Sequence, residues 1–95
     1  LSRNAIVVLP ESLFQMSSIK ILDLSENQIL DLPKGIQNLK NLKDLNLENN
    51  KLSKMPIEIS KLKSLENLNL RDNSFSDQEI DNIKKEISAN VNIRF

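Results

Sequence analysis

"IKILDLSENQI", residues Ile19–Ile29, is followed after a step of 23 residues by "LKDLNLENNKL" (Leu42–Leu52) and, after another, by "LENLNLRDNSF" (Leu65–Phe75). Each copy carries apolar residues at its first, fourth, sixth and eleventh places and asparagine at its ninth. The series are Ile19, Leu22, Leu24, Asn27, Ile29; Leu42, Leu45, Leu47, Asn50, Leu52; and Leu65, Leu68, Leu70, Asn73, Phe75. Prolines keep the same step at Pro10, Pro33 and Pro56, and asparagines at Asn4, Asn27, Asn50 and Asn73. Self-similarity at a fixed period of this length is the signature of a repeat array.

Each position has a physical reason. The two apolar residues of the "L-x-L" core alternate, so both point to one side of a short strand while the residues between them face out. An asparagine amide donates and accepts at once, which suits a buried turn whose backbone groups have lost their strand partners. Stacking predicts a structural ladder of Asn4, Asn27, Asn50 and Asn73. Proline fits the start of a helical turn on the outer side, where its missing N–H costs nothing. Leu13/Met16, Ile36/Leu39 and Ile59/Leu62 are expected to pack back from that turn onto the leucines. One such unit cannot bury its own apolar face, but a stack can.

The pattern resembles the leucine-rich repeat family, L-x-x-L-x-L-x-x-N-x-L, over nearly the whole chain. "LPKGIQNLKN" and "MPIEISKLKS" are similar to the 23-residue form found in bacterial, notably spirochaete, proteins. The resemblance implies an α/β fold: a right-handed solenoid with short parallel strands on the concave face and helical turns on the convex face. The expected single domain, 1–95, divides into a partial repeat (1–18), two full repeats (19–41 and 42–64), the strand of a last repeat (65–75) and a C-terminal cap (76–95).

The cap is predicted where the pattern breaks. Gln78 and Glu79 replace the expected leucine and proline, and Ser76 with Glu79 forms a capping-box signature. Ile80, Ile83 and Ile87 give one apolar stripe, so a helix is expected from about Asp77 to Ser88. In "VNIRF", Val91, Ile93 and Phe95 alternate with Asn92 and Arg94, which reads as a final strand. Keeping the step of 23 would set Val91 beside Leu68 and Ile93 beside Leu70. Spirochaete members often carry a Pro-Asn-Cys turn before this strand, where this chain has Ala89-Asn90-Val91.

At the other end Leu1 aligns with Leu24, so the sequence opens inside a repeat. Leu1, Ile6, Val7, Val8, Leu9 and Phe14 are expected on or near an open edge. Either preceding repeats once covered that edge, or a second copy does so by homodimer formation or domain swapping.

Composition narrows the chemistry. Thirteen basic and thirteen acidic residues balance, and phenylalanine is the sole aromatic type, with three copies. That argues against a nucleic-acid partner. The longest purely apolar run, Ala5–Leu9, is far short of the roughly 20 residues of a membrane span. With no histidine and no cysteine, catalytic triads of the usual kinds and zinc centres are excluded, and Gly35 alone cannot make a phosphate-cradling loop. No cofactor or catalytic residue is expected. Carboxylates could in principle do acid–base work, but nothing in their setting raises a pKa. Calcium or glycan contact by the same acids is a weaker alternative, because no loop has alternating oxygen ligands around a central glycine. "LPESL" at Leu9 lacks the features of a wall-sorting signal, and "NSF" at Asn73 is not a glycosylation acceptor.

Family resemblance implies a non-enzymatic module that binds another protein on the concave strand face. Ile21, Asp23, Asp44, Asn46, Glu48, Asn67, Asn69 and Arg71 are the candidate contacts. Along the outward positions as a whole, counting Arg3, Glu26 and Asp72, acids outnumber bases five to two, which favours a basic partner patch. The alternative is a structural C-terminal end-piece of a larger protein of this kind. The family has both exported and cytoplasmic members, and a secreted or cell-surface location is favoured.

Overall fold

The computed structural model describes residues 4–95. Leu1, assigned above to the edge, and Arg3, counted above on the outward face, lie outside the described residues. Four three-residue strands form one parallel sheet in chain order: β1 (Ile21–Asp23), β2 (Asp44–Asn46), β3 (Asn67–Asn69) and β4 (Asn92–Arg94). In the first three the central leucine is buried and its neighbours face out. Pairing extends one residue past each strand, where the N–H groups of Leu24, Leu47 and Leu70 donate to the carbonyls of Asn46, Asn69 and Arg94 at 2.8–2.9 Å. This is the solenoid that the repeats predict.

The return side of each coil is a 3₁₀ turn: Glu11–Gln15, Lys34–Asn38 and Ile57–Lys61. Proline stands just before each turn in extended conformation, and its carbonyl accepts the N–H of Leu13, Ile36 or Ile59 at 3.1–3.2 Å. Fixed φ and a missing donor make proline a fitting residue there. Leu13, Ile36, Leu39, Ile59 and Leu62 pack inward onto the leucines of the sheet.

Met16 departs from that expectation, being 54% exposed. Leu39 and Leu62 each have a 3₁₀ turn stacked on their N-terminal side, and Met16 has none among the described residues. Leu9 and Phe14, expected on the open edge, are buried at 3% and 5% exposure, whereas Val7 and Val8 are exposed. Phe14 owes its burial to the next turn. A β-carbon placed on Gly35 would lie 3.1 Å from Cδ2 and 3.2 Å from Cγ of the Phe14 ring. The chain's one glycine makes room for that ring.

An α-helix, α1 (Asp77–Glu86), closes the C-terminal end. Ser76 caps it by accepting the N–H of Glu79 on its hydroxyl at 3.1 Å. Ile83 and Ile87 are buried against the core, and the helix stops at Glu86, two residues earlier than predicted. The Glu79 carboxylate reaches across to the previous coil, where it accepts the N–H of Met55 at 3.2 Å.

The register of β4 corrects the sequence reading. Ile93 pairs with Leu68, Asn92 with Asn67 and Arg94 with Asn69, an offset of 25 residues. An α-helix advances about 1.5 Å per residue against about 2.0 Å for a 3₁₀ turn, so the last coil takes more residues to return to the sheet. A slip of two preserves the alternation, so the faces come out as expected while the pairing does not.

Candidate functional site

The site begins with how each strand is released from the sheet. After the strand, Glu26, Asn49 and Asp72 adopt left-handed backbone, with φ of 56°, 59° and 58°. This turn brings the following asparagine back under the strand. Asn50 donates from Nδ2 to the carbonyls of Leu24 (2.9 Å) and Leu47 (3.0 Å) and accepts from the Ile29 N–H (3.1 Å). Asn73 repeats this with Leu47 (2.9 Å), Leu70 (3.1 Å) and the Leu52 N–H (3.0 Å). Asn27 donates to Leu24 (3.0 Å) and accepts from the N–H groups of Asn4 (3.1 Å) and Ile6 (3.2 Å). Asn4 thus joins the series through its backbone. Among the described residues no buried side-chain nitrogen or oxygen lacks a partner.

The concave face lies in front of this spine. An open hollow of about 320 Å³ runs across all four strands, floored by Leu22, Leu45 and Leu68. Ile21, Asp44, Asn67 and Asn92 form one row along it, and Asp23, Asn46, Asn69 and Arg94 the next. Of the predicted contacts, Ile21, Asp23, Asp44, Asn46, Asn67 and Asn69 line the hollow, while Glu48 and Arg71 lie outside it. Asn92 and Arg94 were missed. Their outward phase in "VNIRF" was the available signal, but the assumed step of 23 did not put Arg94 in line with Asp23.

Hydrogen bonds fix much of this surface. Asn67 donates to Asp44 at 2.6 Å, Asn69 to Glu48 at 2.7 Å and Asn92 to Asn67 at 3.4 Å. The second row also holds its own turns. Asp23, Asn46 and Asn69 each accept, on Oδ1, the backbone N–H two residues on, at 3.0–3.1 Å. The Ser25 hydroxyl adds a 2.6 Å bond to Asp23. That hydroxyl and the Ser25 N–H together hold the Asp23 carboxyl below its ordinary pKa, so it is ionised at neutral pH. Ile21, 71% exposed, is the large apolar side chain at the N-terminal end of the hollow.

Among the described residues, no three carboxylates gather around a common point that could hold a metal ion. Nor is any helix among them long and apolar enough to cross a membrane.

The comparisons with known proteins agree with this architecture. The leucine rich repeat family profile matches residues 1–52 and 33–75. A solved leucine-rich repeat protein from Leptospira interrogans superposes on the whole of this chain with a TM-score of 0.95 and 40% sequence identity. The chain spans 24% of that protein's length. Among curated protein sequences none is significantly similar. With the repeat profile, the coil geometry and this neighbour in accord, the chain belongs to the leucine-rich repeat family.

Proposed function

We propose that this chain is a non-enzymatic protein-interaction module that receives a partner on the concave face of its sheet. One observation carries the reading: a solvent-open hollow of about 320 Å³ crosses all four strands, with its carboxylate and amide side chains already held by hydrogen bonds. Side chains ordered before binding lose less entropy on contact, so even a small face can be selective. Asp23 and Asp44 favour a basic group over β1 and β2.

The test is charge reversal, one residue at a time, at Asp23, Asp44 and Glu48. A partner captured by the intact protein should bind Asp23→Lys and Asp44→Lys at least about fivefold more weakly, since contacts between close charges carry energies of this order. A second reading, that the segment serves chiefly to end a longer solenoid, draws on the buried Ile83 of α1 and the buried Ile87 just after it. If none of the three reversals changes partner binding, the end-piece reading stands and the concave-face reading falls.

A further inference from the structure

The hollow is electrically polarised along its length. Asp23 and Asp44 sit on β1 and β2, amide side chains occupy β3, and Arg94 sits on β4. The offset of 25 residues creates this arrangement, because it sets Arg94 in one row with Asn69, Asn46 and Asp23. Asp23 is tied to Ser25 and Asp44 to Asn67, so the acidic end is held in place. Arg94 is exposed, and among the described residues its guanidinium has no hydrogen-bond or ion-pair partner.

Neighbouring strands lie about 4.8 Å apart, so the backbone positions of Asp23 and Arg94, three strands apart, are separated by about 14 Å. An extended peptide advances about 3.4 Å per residue and presents every second side chain to one face. Four residues of such a peptide cover the same distance and return to the same face.

The geometry points to a dipolar cradle for an extended segment of a partner protein, with a basic side chain over β1–β2 and an acidic side chain four positions away over β4. This inference rests on the concave-face reading and adds the chemistry of the occupant. A dibasic segment meets Arg94 with like charge, and a diacidic one meets Asp23 and Asp44, so both are disfavoured.

Random linear dodecapeptides displayed on phage, selected on the full chain, provide the test. Selected peptides should carry Lys or Arg four positions from Asp or Glu. A synthetic peptide of that pattern should lose about tenfold in affinity for Arg94→Glu and less than about threefold for Arg94→Lys. Arg94→Glu should itself select dibasic peptides, because its groove is acidic at both ends. Arg94 is exposed, so the variant fold is checked by its amide NMR spectrum. Peptides sensitive to Asp44→Lys but lacking the paired charges would overturn the dipolar cradle and leave the concave-face reading standing. If no selected peptide responds to Asp23→Lys, Asp44→Lys or Arg94→Glu, both readings fall.

Discussion

Asn50 shows what a single repeat position does. Its amide makes its three shortest bonds, 2.9–3.1 Å, to backbone groups from two neighbouring coils, at 6% exposure. Asn50→Ala leaves those groups buried without partners and should destabilise the protein by about 2–4 kcal/mol, read from chemical denaturation. Asn50→Ser, which keeps one short polar group, should recover only part of that loss. This position was legible because the requirement recurs on one step and always selects the same side chain. The left-handed residue before it was not, because Glu26, Asn49 and Asp72 share a backbone state but not a side-chain type. Asp23 adds a pH dependence. Its carboxyl titrates below the ordinary aspartate value, chiefly through the Ser25 hydroxyl and then through the Ser25 N–H. A carboxyl with a lowered folded-state pKa contributes stability above its unfolded-state value, and that contribution is lost as pH falls through the folded-state value. Ser25→Ala should therefore move the carbon-13 titration midpoint of the Asp23 carboxyl upward and narrow this acid-side stability loss.

Between elements, contacts that cross coils decide what a residue does. Gly35 reads from sequence as an isolated glycine, yet it exists to seat Phe14 from the preceding turn. In free space Gly35→Ala would stabilise a turn by about 0.4–1 kcal/mol by restricting the unfolded chain. Here the new methyl meets a buried ring, so Gly35→Ala should destabilise by about 1 kcal/mol, within the range for overpacking. Phe14→Ala should cost about 3–5 kcal/mol for the cavity it leaves. The double variant should be no less stable than Phe14→Ala alone, since the clash and its cause go together. Additive losses in that cycle would show that the ring is not the reason for the glycine. Helix α1 teaches the same lesson. Ser76 was readable because capping is local, within four residues of the chain. The link from Glu79 to Met55 was not, because it spans 24 residues and depends on the coil beneath.

Over the whole molecule, the sheet and the 3₁₀ turns join neighbours in chain order, so stability is close to a sum of coils and the interfaces between them. The general architecture was legible for that reason: the same interface is written several times. The last one departs furthest from the repeat, and there the register of β4 and the place of Arg94 escaped a reading based on it. The same non-uniformity should govern dynamics. Ile83 of α1 is buried in the core at 1% exposure, and Ile83→Ala should cost about 2–5 kcal/mol. If the coils open from the ends, the loss will be felt first where α1 supports the sheet. Native-state hydrogen exchange should then show the Asn92 N–H on the Glu66 carbonyl and the Leu70 N–H on the Arg94 carbonyl speeding up most. The Leu24 N–H, held by Asn46, should change least. Equal acceleration at all three amides would mean that the chain opens only as one cooperative unit. In the first case the basic end of the groove detaches before the acidic end, and Ile83→Ala should weaken a bound acidic side chain more than a basic one.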